Sequence, residues 1–268
     1  MSISDNSDDV PNGFDERLRR RRIIQSQLET IPSTGIPQPH GNIPNTPLAA
    51  SFISFLLGSI FSLAFTTFLF GGSSSYWWST YQLGFFVAAW ALFHWGEFAV
   101  AAGWNREKCS VDSFLLDNGK LYHAANGFAL LEYLITLYLN PSLKSYPYIS
   151  AIGVFMVVVG QALRSIAMIH ASTNFSHALA FRKLANHQLV TDGIYAWFRH
   201  PSYAGFFYWA LGTQLVLQNP VAFTAFLLLL WRFFSQRIQT EEKMLVQFFG
   251  DPYVDYRKRV GTRIPFIA

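Results

Sequence analysis

Long apolar stretches separated by short polar ones dominate the chain from residue 48 onward. Leu48 to Phe70 and Gln82 to Ala102 are each close to the ~20 residues that a helix, rising 1.5 Å per residue, needs to cross ~30 Å of hydrocarbon. Leu121 to Leu139 and Tyr148 to Ile169 repeat the pattern. Tyr203 to Leu217 and Val221 to Phe234 are shorter and meet at Asn219 and Pro220. At ~15 residues each they reach only about 22 Å, so they predict a short C-terminal helical hairpin that barely spans or dips into the bilayer. The whole pattern predicts an all-α, polytopic integral membrane protein with roughly six transmembrane helices.

Met1 to Asn45 read differently. This segment is polar, carries Pro32, Pro37, Pro39 and Pro44, and has no sustained apolar period. It predicts a disordered cytosolic tail over 1–45, ahead of a membrane domain over 46–268. No secretory signal peptide is evident, so targeting falls to the first span.

Charge orients the spans. Arg17, Arg19, Arg20, Arg21 and Arg22 precede the first apolar run, and Arg106, Lys108, Lys120, Arg182, Lys183, Arg199, Arg257, Lys258, Arg259 and Arg263 fall in loops on the same side. The opposite loops hold only Lys144. The positive-inside rule then puts both termini in the cytosol, and it reads the basic clusters as topology signals rather than a nucleic-acid surface. Composition agrees: 51% of residues are hydrophobic and 13% charged, against about 25% charged in a soluble domain. The single cysteine, Cys109, excludes an internal disulfide framework and a thiolate metal cluster, and no His or carboxylate spacing predicts a metal site. The lack of a visible internal repeat weighs against a transporter built from two halves.

Polar chemistry concentrates from Arg164 onward, over 160–268. Arg164 closes an apolar helix, where it either snorkels to the interface or pairs inside a polar cavity. Asn174 to His177 follow, then His187 to Tyr195 and Arg199 to Tyr203. Thr191, Asp192 and Gly193 predict a turn, and Pro201 suits the first turn of the next helix. Two histidines, two tyrosines and free backbone groups in such a loop can cup a polar, partly aromatic ligand. Singly, those histidines would be plain interfacial hydrogen-bonders. If the helix continues past Phe234, Arg237 and Glu241 share one face at i and i+4. His94, Glu97 and Glu132 read as a buried polar network that positions helices.

These segments resemble the isoprenylcysteine carboxyl methyltransferases of the endoplasmic reticulum. The resemblance runs from about His94 to Phe266 and rests on FHWGEF, VDSFLLDNG, GQALR, NFSH, HQLVTDGIYAWFRHPSYAGFFYW, QLVLQNP, WRFF with Arg237 and Glu241, FFGDPYVDY and the terminal IPF. It implies transfer of a methyl group from S-adenosylmethionine to the C-terminal prenylcysteine carboxylate of processed CaaX proteins, small GTPases and prenylated peptides among them. It assigns cofactor contacts to His187, Gln188, Leu189, Val190, Tyr195, His200, Pro201, Ser202, Tyr203 and Glu241, and puts Arg237 beside the substrate. Where the family pattern leads us to expect a glutamine contact, this chain has Ala180. The RHPSY core is shared more widely, which keeps a phospholipid N-methyltransferase as the alternative and a sterol reductase behind it. The non-enzymatic alternative is a polytopic scaffold.

The acceptor carboxylate is already ionised near neutral pH, so alignment and exclusion of water matter more than a base. An arginine can orient a carboxylate bidentately. Arg237 is the first candidate catalytic residue for this and Arg164 the second. Gly205, Ala210 and Gly212 either leave a lateral gap for the prenyl chain or let a neighbouring helix approach closely.

Overall fold

The computed structural model describes residues 43–73, 76–183 and 187–267. The basic cluster at Arg17–Arg22 and almost all of the tail expected over 1–45 lie outside the described residues. Among the described residues seven α-helices follow in order: α1 (Pro47–Phe70), α2 (Tyr81–Trp104), α3 (Gly119–Leu139), α4 (Pro147–Ala171), α5 (Pro201–Leu217), α6 (Pro220–Phe249) and α7 (Asp251–Arg259). Short 3-10 turns join several of them. Five of the helices carry proline in the first turn, as the first residue of α1, α4, α5 and α6 and as Pro252 of α7, where the missing N–H has no intrahelical partner to lose. Thr46 and Thr80 cap α1 and α2, accepting from Ala49 and Leu83 at 3.2 and 3.3 Å, as N-cap hydroxyls do.

Each apolar segment read from the sequence folds as a helix. Among the described residues, four helices are long and apolar enough to cross a membrane: α1, α2, α4 and α6. The expected short hairpin takes a different form. Its first arm, α5, has 17 residues, but its second arm, α6, runs for 30 residues from Pro220 to Phe249 without a break. The apolar run ends near Phe234; the helix does not, because its polar half is held by side chains of α5, α7 and the preceding loop.

The centre is the contact between α4 and α5. Gly153 and Gly160 on α4 face Gly212 and Gly205 on α5 so closely that a Cβ on Gly205 would stand 2.7 Å from Arg164 N and from Gly160 O. Of the two readings of the small-residue face, Gly205 and Gly212 therefore serve close packing. They leave no lateral gap. Phe93 of α2 and Phe207, Trp209 and Leu211 of α5 continue this core into α6 through Phe226, Phe234 and Ile238. By contrast, α1 rests on α2 and leaves Phe52, Phe55 and Leu63 exposed, an apolar outer face suited to lipid.

The far end of the bundle is tied by polar groups. Gln218 turns the chain in the left-handed region at φ 54°. Lys144 donates to the Gln218 carbonyl at 2.9 Å and to Asn219 Oδ1 at 2.8 Å. Glu132 caps α6 from α3, accepting from Val221 N at 3.0 Å and Ala222 N at 2.6 Å. Asn219 Nδ2 also donates to the Ala129 carbonyl of α3 at 2.8 Å.

The three polar residues expected to form one network thus occupy three separate places. Glu132 caps α6. His94 bonds the Phe114 carbonyl at 2.7 Å and the Tyr122 hydroxyl at 2.9 Å. Glu97 belongs to the site described next.

Candidate active site

Two cavities meet at the end of the bundle opposite the Lys144 turn. The smaller, of about 130 Å³, is lined by Gln188, Leu189, Val190, Tyr195, the turn His200 to Tyr203, and Glu241. Of the ten residues expected there, all but His187 line it. His187 packs beside Phe248, with ring centroids 6.2 Å apart, while burial and the charges of Lys108 and Lys183 hold its pKa below the ordinary imidazole value. Ala180 lines neither cavity.

The polar half of α6 explains how the smaller cavity is held. Arg199 Nε meets Glu242 Oε1 at 2.5 Å, and its Nη1 donates to the Val260 carbonyl at 2.6 Å. His200 Nε2 lies 3.2 Å from the same Glu242 oxygen. The His200 ring stacks on Tyr203, 5.5 Å between centroids and 4° from parallel. On the other wall, Tyr256 of α7 donates to the Tyr195 carbonyl at 2.6 Å, and Asn174 Oδ1 accepts from Gln188 N at 2.8 Å. Burial, reinforced by the Glu241 charge, pushes the Tyr195 phenol well above its ordinary pKa, so it remains a donor.

The larger cavity, of about 350 Å³, is mainly apolar. Its walls are Leu121, Tyr122 and Ala125 of α3, Phe206, Trp209 and Ala210 of α5, and Phe226 to Arg237 along one face of α6. Arg164 and Arg237 both reach its polar end, but differ in state. Arg164 is buried and held bidentately by Glu97, at 2.5 and 2.7 Å, with Ser202 Oγ at 3.0 Å. It pairs within the protein rather than snorkelling, and its charge is already matched. Arg237 donates from Nε to the Tyr203 hydroxyl at 2.8 Å and from Nη2 to the His177 carbonyl at 2.5 Å. Among the described residues it has no carboxylate partner within ion-pair distance. The expected i, i+4 contact with Glu241 is interrupted: the Tyr203 hydroxyl stands between them and donates to Glu241 Oε2 at 2.6 Å.

Phe175, Ser176, Ser202 and Tyr203 line both cavities. A polar chamber and an apolar chamber therefore share one wall, and the arginine without a carboxylate partner lies beside it.

Comparison with known proteins gives this arrangement a family. Residues 152–247 match the model of the isoprenylcysteine carboxyl methyltransferase (ICMT) family. The chain is 47% identical over 188 residues to the protein-S-isoprenylcysteine O-methyltransferase of Saccharomyces cerevisiae, covering 68% of this chain and 79% of that one. The chain belongs to the isoprenylcysteine carboxyl methyltransferase family. The human relative of the same name is 41% identical over 220 residues, covering 82% of this chain and 74% of its own length. The Schizosaccharomyces pombe relative is 43% identical over 244 residues, covering 85% of this chain and 99% of its own. A solved structure of the eukaryotic intramembrane Ras methyltransferase ICMT superposes with a TM-score of 0.74 at 36% identity, covering 82% of each chain.

An isoprenylcysteine carboxyl methyltransferase needs a place for a methyl donor, and the smaller cavity has suitable chemistry for S-adenosylmethionine. Tyr195, His200 and Phe249 bring aromatic rings to its lining, Gln188, Leu189 and Val190 line it as well, and Glu241 contributes a carboxylate. Tyr253 also lines it, and the Tyr253 hydroxyl is buried with no hydrogen-bond partner among the described residues. Such a group has a bond still to make. Leu245, Phe249, Tyr253 and Tyr256 escaped the sequence reading. The DPYVDY segment carries one local signal for this face, the spacing of Tyr253 and Tyr256 at i and i+3, which puts both rings on one side of a helix.

Proposed function

We propose that the two cavities are the two halves of one methyl-transfer site, in which the α-carboxylate of a C-terminal prenylcysteine, on a processed CaaX protein such as a small GTPase or on a prenylated peptide, becomes a methyl ester. Family membership makes the chain a methyltransferase, and the wall common to both cavities carries the assignment of their roles. S-adenosylmethionine, when bound, supplies an electrophilic methyl group on a sulfonium. Gln188 to Val190, Tyr195, His200 to Tyr203 and Glu241 would hold it in the polar chamber.

Arg237 orients the acceptor. Two of its five N–H donors are used by Tyr203 and His177, which leaves donors for a carboxylate while fixing the plane of the guanidinium. Incomplete neutralisation suits the chemistry, because a fully neutralised carboxylate is a poorer nucleophile. No general base is needed for an acid already ionised. The apolar chamber takes the prenyl chain, whose burial is worth ~0.8 kcal/mol per CH₂ equivalent, and excludes water from the reacting end.

The same reading places the protein in the endoplasmic reticulum membrane, with both termini cytosolic and six crossings. α5 has only 17 residues, yet nearly all of it is buried by other helices, so it can cross without itself meeting lipid. The test is transfer of labelled methyl from S-adenosylmethionine to N-acetyl farnesylcysteine by purified protein. Transfer to phosphatidylethanolamine instead would favour the phospholipid N-methyltransferase reading, though an arginine with no carboxylate partner among the described residues, placed beside an amine acceptor, speaks against it.

A further inference from the structure

Phe175 and Ser176 of the shared wall belong to a segment that leaves α4 and crosses between the chambers, with Asn174 lining the smaller and His177 the larger. Its origin is conformationally demanding: Ser172 sits at φ 47° and ψ −122°, a region non-glycine residues avoid unless their surroundings impose it. The imposing contacts come from α2 and the turn after it. Ser172 Oγ donates to the Trp104 carbonyl at 2.7 Å. Lys108 Nζ donates to the Thr173 and Phe175 carbonyls at 2.7 and 2.9 Å, and Asn105 Nδ2 to the Phe175 carbonyl at 3.0 Å. The last pin is His177, whose Nε2 lies 2.9 Å from Glu97 Oε2.

That pin has a second side. The backbone carbonyl of His177 is one of the two groups that hold the Arg237 guanidinium. Its ring is gripped by a carboxylate that is itself 1% exposed and locked by Nε and Nη2 of Arg164. A chain of contacts thus runs from Arg164 through Glu97 and His177 to Arg237, joining α4, α2, the shared wall and α6. Glu97 does more in this arrangement than balance a buried arginine, for which its bonds to Arg164 would suffice.

We infer that His177, fastened by Glu97, is the residue that positions the Arg237 guanidinium for the acceptor carboxylate. This rests on the methyl-transfer reading of the two cavities. His177 acts through Arg237 and not on the reacting atoms, so its loss acts on acceptor recognition and spares donor binding. The 174–176 part of the wall, which meets the donor cavity, keeps its pins at Asn105 and Lys108.

The test uses His177 rather than Glu97, because Glu97→Gln would leave Arg164 as an uncompensated buried cation and endanger folding. His177→Phe retains a ring against Phe175, which lies 5.1 Å away between centroids, but removes the bond to Glu97. His177→Gln places an amide donor near the position of Nε2. Steady-state methylation of N-acetyl farnesylcysteine is measured for each full-length variant, with calorimetric binding of S-adenosylhomocysteine and the thermal midpoint in detergent. His177→Phe is expected to raise the acceptor KM about tenfold, the scale of one hydrogen bond to a charged group. S-adenosylhomocysteine affinity and thermal midpoint should stay at wild-type values, and His177→Gln should recover most of the loss. An unchanged acceptor KM in His177→Phe would overturn the inference, as would a parallel loss of S-adenosylhomocysteine affinity and thermal midpoint. Absence of transfer by the wild-type protein would overturn the methyl-transfer reading and this inference together.

Discussion

Tyr203 donates its hydroxyl proton to Glu241 at 2.6 Å while accepting from Arg237 at 2.8 Å, and so keeps apart two opposite charges one helical turn from each other. Without the hydroxyl, Arg237 and Glu241 are spaced to pair directly. Tyr203→Phe is therefore expected to allow that pair and to occupy the arginine. Methylation of N-acetyl farnesylcysteine should fall about tenfold or more, as for a lost charge-assisted hydrogen bond. The ring stack with His200 is retained, so the thermal midpoint should hardly move. Label transfer and a melting curve on one preparation check both halves.

Arg237 itself should be more sensitive. Arg237→Ala removes the acceptor clamp, and activity should drop by roughly 10- to 100-fold or more, the range for a bond between charged groups. Arg237→Lys should recover only part of it, since an ammonium cannot present two parallel donors. Full activity in the alanine variant would contradict the clamp.

At the far end, Glu132 accepts two N–H groups from the first turn of α6. Glu132→Ala should cost about 1 kcal/mol, the usual worth of a helix N-cap. Acceptor KM should not change, because neither Glu132 nor the capped residues Val221 and Ala222 line either cavity. Thermal unfolding and steady-state kinetics separate the two effects.

Lys144 gives a pH-dependent stability. Burial lowers its pKa from 10.5 to about 8, against the opposing pull of Glu132. Below that value the folded and unfolded chains both carry the proton. Between about 8 and 10.5 the unfolded chain binds more protons than the folded one, so stability rises with pH across this window. Melting midpoints measured from pH 7 to 10 should show the rise, and Lys144→Met should remove that contribution to the slope.

Legibility in the sequence followed the physics of each element. Apolar runs located α1 to α5 within a few residues, because hydrocarbon length and helix rise constrain such runs tightly. The same rule ended α6 near Phe234, since it does not count polar residues satisfied by tertiary partners; Glu242 is held by Arg199 and His200 from across the cavity. The loop His187 to Tyr203 was legible as a cup because its turn formers and aromatics are local. The bond between Glu97 and Arg164 spans 67 residues, and nothing local announces it. Tyr253 and Tyr256 were missed because α7 is a short polar helix whose one aromatic face acquires meaning only when it closes the cavity.

The glycine seam between α4 and α5 bears on how the apolar chamber can breathe. Two helices in backbone contact have no interposed side chains to repack, so they behave as one stiff plate. The other walls of the chamber come largely from α3 and α6, which are pinned to each other at one end by Glu132 and Asn219. Their opposite ends flank the site. This is the layout of a pair of tongs, with its rivet at the Lys144 turn and its jaws where a lipid-bearing cysteine would be gripped and let go.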